Sequence, residues 1–180
     1  MSKVILVAAT SIDNKITCGS NGDSFSWTSP EDQKYFTQLI KDSDLVIMGR
    51  KTYQINSSKM DLTRGPLRLV LTKNPKKYSH LNIPGHLEFT SLTPPEISSK
   101  YFSKYNQILI LGGSQIYSLF LKDNLIDEIY LTIEPVIFGN GKNLLNRLKI
   151  DQSFRLVDFK QLNRHGTLLL KYQVIQKNSL

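Results

Sequence analysis

Short apolar runs, each closed by a turn and separated by segments of helical spacing, constrain this 180-residue chain more than any other feature. Val4-Ile5-Leu6-Val7-Ala8-Ala9 and Leu45-Val46-Ile47-Met48 are apolar on both faces, and Gln107 to Leu111 reads as a further buried strand. A strand has that pattern when helices cover both sides of its sheet, which is the habit of parallel sheets. Leu67 to Thr72, stopped by Lys73-Asn74-Pro75, residues 87–90 and Glu128 to Ile133 add three more strands. Helices are predicted at about 30–42, from Pro94-Pro95 to about 103, and from Gln115 to Leu121, whereas residues 54–65 are polar and without period. Phe154 to Leu162 and Thr167 to Gln176 flank Asn163-Arg164-His165-Gly166, an antiparallel hairpin. The expected class is α/β, a mostly parallel central sheet with an antiparallel C-terminal hairpin, in one domain over residues 1–180.

The first helix carries an acid in an unusual place. Ser29 suits the N-cap and Pro30 the first helical position, so Asp32 falls at the third, the acid site of a capping box. Phe36, Leu39 and Ile40 follow it by four, seven and eight residues and share its helix face. Glu31, Lys34, Gln38 and Lys41 lie off that stripe. A carboxylate on a buried stripe needs a partner. Asp32 is therefore either a capping acid or a ligand-facing acid at the mouth of a pocket, and local spacing does not choose.

Two glycine-bearing turns follow buried strands. Gly49-Arg50-Lys51-Thr52-Tyr53 is a basic turn at a carboxyl end, a candidate phosphate site or a surface turn with incidental cations. Leu111-Gly112-Gly113-Ser114 runs into a helix, which suits either close ligand approach or tight helix-on-sheet packing. The formal charge of +8 is compatible with phosphorylated ligands, but the cations are scattered, with no aromatic-basic repeat that would mark a nucleic-acid face. Cys18, the single cysteine, excludes an intramolecular disulfide, and His80, His86 and His165 lack metal-ligand spacing. The first apolar run is too short to span a membrane and lacks a cleavage pattern, so a cytoplasmic protein is expected, with no membrane partner.

Four segments, in order, resemble the dihydrofolate reductase superfamily, which includes the riboflavin-biosynthesis reductase domain. They are Trp27-x-x-Pro30-x-Asp32-x-x-x-Phe36, Val46 to Tyr53, Leu111 to Tyr117, and Tyr130-Leu131-Thr132. Ser11 to Ile16, Trp27 to Glu31, Pro66 to Leu71 and Glu134 to Gly141 resemble the riboflavin branch. The resemblance implies a three-layer dihydrofolate-reductase-like fold and NADPH as cofactor. It implies Asp32 and Thr132 as the catalytic pair, the acid bonding a pterin's amino group and ring N–H and the threonine holding the acid. It places Val7, Ala8, Phe25, Trp27 and Phe36 about the substrate. Ala9 and Ile16 would touch the nicotinamide. Gly49, Arg50, Lys51, Thr52, Leu71, Thr72 and Lys73 would meet phosphates and the adenosine end. Leu111, Gly112, Gly113, Ser114, Gln115, Ile116 and Tyr117 would lie along the cofactor.

Asp32 favours dihydrofolate as the small-molecule substrate. The alternative is a ribosylaminopyrimidine phosphate of riboflavin synthesis, with Arg68 the candidate phosphate ligand, or another substrate of the same fold. Folate reductases place an arginine shortly before the third strand for the folate tail. Here Pro66 or Leu67 falls there, with Arg64 and Arg68 out of register. Riboflavin-type relatives often form homodimers, which makes residues 135–145 a candidate interface.

Overall fold

The computed structural model describes residues 2–20, 22–146, 149 and 151–175. Asn21 in the predicted loop and Gln176 at the end of the predicted hairpin lie outside the described residues. Strands β1 (Lys3–Thr10), β2 (Leu45–Gly49), β3 (Leu67–Leu71), β4 (Leu87–Thr90), β5 (Gln107–Ile110), β6 (Glu128–Ile133), β7 (Phe154–Gln161) and β8 (Leu168–Val174) form one sheet. Its order is β4-β3-β2-β5-β1-β6-β8-β7. All pairings from β4 to β6 are parallel, and β6-β8 and β8-β7 are antiparallel. The mixed α/β class expected from the alternating pattern is the one observed.

Helices α1 (Pro30–Lys41), α2 (Arg50–Asn56), α3 (Pro94–Tyr101) and α4 (Ser114–Lys122) cover the two faces. Phe36, Leu39 and Ile40 of α1 and Tyr53 of α2 pack with Ile5, Val7, Val46, Met48 and Val70. On the other face, Ile97 and Tyr101 of α3 and Phe120 and Leu121 of α4 pack with Leu6, Leu45, Ile47, Leu69, Ile108 and Ile110. The alternation of these strand residues between two cores is the period-two geometry of a strand buried on both sides. Each such Leu or Ile withdrawn from water contributes about 1.5–3 kcal/mol.

Helix α2 was not expected. The basic turn after β2 is the first turn of this helix, and part of the patternless 54–65 stretch is its second. The helix buries only Tyr53, so it has no apolar stripe to detect. Residues 75–81, where only a strand stop was expected, form a 3-10 segment.

β1 lies between β5 and β6, so the chain leaves it on one face through α1 and returns past it on the other through α4. The carboxyl ends of β1, β2, β3 and β5 thus open together, the usual ligand side of an open α/β sheet. Residues 11–17 are laced to residues 136–142 beside that opening. Ile12 N–H donates to Val136 O, Phe138 and Gly139 N–H to the Asp13 carboxylate, and Lys142 N–H to Thr17 Oγ1. Gly141 sits inside the lacing at φ +147°, and a Cβ there would lie 2.0 Å from the Thr17 carbonyl oxygen. Backbone on both sides leaves that clash no cheap relief. Gly141→Ala is expected to cost at least about 2 kcal/mol, read as a lower urea midpoint with an unchanged slope.

Candidate functional site

A cleft of about 1570 Å³ opens at the carboxyl ends of the parallel strands. That exceeds the roughly 300–1,000 Å³ of a single drug-sized pocket and suits a dinucleotide beside a second ligand. Nine cationic side chains (Lys41, Arg50, Lys51, Lys59, Arg64, Arg68, Lys73, Lys77, Lys142) and two carboxylates (Asp32, Asp61) line it among the described residues. So lopsided a lining concentrates anionic ligands.

Asp32 lies on the cleft wall and is the buried residue of α1. Ser29 caps the helix, its Oγ accepting from Asp32 N–H at 3.3 Å. The reciprocal half of a capping box is not made by Asp32, because Ser29 N–H donates to Glu134 Oε1 at 2.7 Å. Asp32 instead takes a side-chain hydrogen bond from Thr132. Thr132, buried in β6, stands opposite Ala9 of β1 in the parallel register. Burial raises the Asp32 carboxyl to about 6, against the Thr132 bond, which lowers it, with the Glu134 charge adding to the rise. An acid so placed can take and give a proton near neutrality.

Aromatic rings roof this end. Phe25 meets Phe36 edge-on at 6.0 Å between centroids, and Lys59 Nζ lies 4.9 Å above Phe25 while pairing with Asp23 at 2.6 Å. Tyr35, one turn short of Phe36's neighbours, also lines the cleft; burial first, then Asp158, Asp32 and Glu128, push its phenol up to about 12. Val7, Ala8, Ala9 and Ile16 complete the wall. Trp27 is not on it: its ring packs edge-on against Phe138 at 5.1 Å.

Arg68 is the second buried charge. It projects from β3 to the α1 face of the sheet beside Val46 and lines the cleft. Its Nη1 donates to Pro66 O at 3.0 Å, and no ion pair holds it among the described residues. Burial pulls its guanidinium below the ordinary range, opposed by the Asp61 charge. A guanidinium has five N–H donors, so this one retains donors for an anion.

At the far end, Gly49 N–H donates to Gly112 O at 2.7 Å, which brings the ends of β2 and β5 together. Gly112 has φ +81°, and a Cβ there would fall 2.5 Å from the Tyr117 ring. Gly112 thus seats Tyr117, whose hydroxyl donates to Val7 O at 2.7 Å, and lies behind the cleft wall. Gly49, Arg50, Lys51, Thr52, Leu71, Thr72, Lys73, Leu111, Gly113, Ser114, Gln115, Ile116 and Tyr117 all line the cleft. The N-cap of α4, Gly113, has no side-chain cap, and its carbonyl oxygen accepts the N–H groups of Ile116 at 2.8 Å and Tyr117 at 3.2 Å, so Ser114 and Gln115 carry the N–H groups of the first turn that this cap does not engage. Ser114 Oγ donates to Asn143 O, which brings Lys142 and Asn143 to the rim.

The expected site residues thus share one cleft, with Trp27 and Gly112 set behind it. Sequence reasoning passed over Glu134, Lys59 and Lys142. Glu134 had a usable signal, since it follows Thr132 by two residues and keeps the same strand face. Lys59 reaches the cleft from the end of a three-residue 3-10 turn and Lys142 from a loop, and neither segment carries a period.

Residues 3–173 match the family model described as "Dihydrofolate reductase". The chain is 27% identical over 173 residues to the Bacillus subtilis (strain 168) protein YwjB, covering 90% of this chain and 93% of that one. A pyrimidine reductase-like protein from Corynebacterium diphtheriae superposes with a TM-score of 0.76 at 18% identity, covering 98% of this chain and 93% of that one. A diaminohydroxyphosphoribosylaminopyrimidine deaminase/5-amino-6-(5-phosphoribosylamino)uracil reductase from Thermotoga maritima superposes at 0.74 and 19% identity, over 97% of this chain and 57% of that one. At these identities the two superpositions speak for the fold.

The raised Asp32 carboxyl has a stability signature. A folded-state value of about 6 exceeds the unfolded value, so the folded state favours the protonated acid. The protonated side chain is no burden below the unfolded value, and the ionised one becomes progressively destabilising as pH rises towards and past 6. Asp32→Asn is expected to stabilise the protein at pH 8 by on the order of 2–3 kcal/mol and to leave it nearly unchanged at about pH 4. Urea unfolding at the two pH values checks this.

Proposed function

We propose that this chain, which belongs to the dihydrofolate reductase family, is an NADPH-dependent oxidoreductase acting on a ribosylaminopyrimidine phosphate of riboflavin synthesis. The observation that carries the substrate is Arg68, a buried guanidinium without an ion-pair partner among the described residues, facing the same cleft as Asp32. A phosphate would satisfy it. The similar Corynebacterium and Thermotoga structures, a pyrimidine reductase-like protein and a 5-amino-6-(5-phosphoribosylamino)uracil reductase, agree with that chemistry.

Asp32 suits this substrate as well as it suits a pterin. An aminopyrimidinone presents an exocyclic amino group beside a ring N–H, the same guanidine-like edge, which a carboxylate can accept in two parallel hydrogen bonds. The deaminated, uracil form replaces the amino group with a carbonyl, which would face the carboxylate oxygen to oxygen. The amino form is therefore the expected substrate.

The cofactor wall fits a phosphorylated dinucleotide. Gly113 and Thr52 lie side by side on it, and Arg50, Lys51 and Lys73 supply positive charge along it. NADPH, when bound, supplies a hydride. Arg50, Lys51, Thr52 and Ser114 would hold its phosphates, and Ala9 and Ile16 would bear on the nicotinamide. Arg68 would anchor the substrate phosphate, which turns binding energy into orientation at the reacting carbon. Asp32, held by Thr132, would fix the pyrimidine edge and, once the sugar of the ribosylamine has opened to its C=N imine and a free hydroxyl, favour protonation of the imine nitrogen as the carbon is reduced. Phe25 and Phe36 would exclude water from that end. These roles also fit dihydrofolate, the second reading, with Arg68 meeting a carboxylate of the tail.

Loss of NADPH absorbance with each of three substrates tests the proposal. The aminopyrimidinone phosphate is expected to exceed its uracil counterpart by about tenfold or more in kcat/KM, as a buried group left opposite the wrong partner implies. Faster turnover of dihydrofolate than of either pyrimidine would replace this reading with the folate one. Arg68→Leu is expected to raise KM for the phosphorylated substrate by about tenfold or more while NADPH affinity stays within about twofold.

A further inference from the structure

Glu134 is buried two residues beyond Thr132, and both of its carboxylate oxygens are engaged. Oε1 accepts Ser29 N–H at 2.7 Å, and Oε2 accepts the Thr167 hydroxyl at 2.6 Å. Thr167 Oγ1 in turn accepts from Asn163 Nδ2 at 2.9 Å, and the same amide nitrogen reaches Glu31 Oε2 at 3.2 Å. Glu134 N–H donates to Thr10 O at 2.8 Å, which fixes its backbone to the end of β1. The Glu134 carboxylate thus joins the start of α1 to the hairpin before β8, while its backbone ties the end of β6 to the end of β1.

In a Ser-x-x-Asp turn the acid ordinarily reaches back to the N-cap N–H. Here that donor is taken by a residue more than a hundred positions away, and Asp32 turns to Thr132 and the cleft. We infer that Glu134 is the positioning residue for Asp32: it occupies the hydrogen bond that would draw the acid back onto its own helix, and so keeps the Asp32 carboxyl presented to ligand. Asp32 remains the group that touches ligand, and Glu134 acts through it. This rests on the ligand-facing role proposed above, yet it is testable without any substrate.

Other titratable groups near this corner are Tyr35 on α1, Glu31 in its first turn, His165 in the hairpin and Asp158 on β7. All are left in place by the substitutions below. Glu134→Gln keeps an oxygen for Ser29 N–H, removes the charge and sets an NH2 against Thr167 Oγ1 in place of the acceptor there. Glu134→Leu removes the acceptor as well, leaving Ser29 N–H to Asp32.

The experiment is a 13C-carboxyl NMR titration of Asp32 in the ligand-free protein, assigned against Asp32→Asn. The wild-type midpoint is expected near 6, where burial holds it. Glu134→Gln is expected to move it modestly to lower pH, and Glu134→Leu clearly further, into the range of ordinary capping acids. With substrate, Glu134→Gln is expected to retain kcat within about threefold and Glu134→Leu to lose about thirtyfold or more, with NADPH affinity unchanged in both. An unchanged midpoint in Glu134→Leu, or equal shifts in the two variants, overturns the inference. Should Glu134→Leu not fold, Thr167→Val frees Oε2 and loosens Glu134 from Ser29. A downward shift there supports the inference and an unmoved midpoint overturns it. Shifts as expected without turnover of any tested substrate would leave the inference standing and sink the proposed function.

Discussion

The arrangement of this site depends on one carboxyl group kept out of water at the start of a helix. Asp32 is buried, so its charged form is disfavoured, and only a hydroxyl from β6 offsets that. An isolated buried carboxylate is among the most costly groups a fold can hold. Its presence makes sense when the missing partner arrives with a ligand that offers N–H donors. The surrounding structure serves that end: Ser29 caps the helix, Glu134 takes the N-cap N–H, and the β1-β6 register sets Thr132 across from Ala9.

The cleft is therefore a pair of electrostatic problems with opposite signs. At one end an acid waits for donors. Along the rest of it unneutralised cations wait for anions, with Arg68 buried and Arg50, Lys51 and Lys73 nearer the surface. A ligand set that solves both carries a guanidine-like edge and several phosphates. A reduced dinucleotide with an aminopyrimidine phosphate, the pair proposed above, meets that description.

Much of this was readable from residues because the strong signals are local. Val4 to Ala8 and Val46 to Met48 alternate between two cores, and their apolar runs reported that directly. Asp32 announced itself by sharing a face with Phe36 and Ile40. What escaped was held by distant contacts. Helix α2 buries Tyr53 alone, so it left no stripe, and its basic start read as a turn. The spacing of Ser29 and Asp32 left a capping acid and a ligand-facing acid both open, and only the three-dimensional approach of Glu134 shows why the capping box is not closed. Trp27, placed by resemblance beside the substrate, packs instead on Phe138, itself tied to Asp13 across the lacing.

The most direct test of the account is calorimetric binding of a diaminopteridine such as methotrexate to the NADPH-loaded protein and to its Asp32→Asn variant. Such a ligand offers the donor pair that the buried acid lacks. Tight binding weakened about a hundredfold or more in the variant is the expected result, the usual scale for removing one partner of a buried charged hydrogen-bond pair. Equal affinity for the two proteins would contradict it and leave Asp32 with no ligand to face.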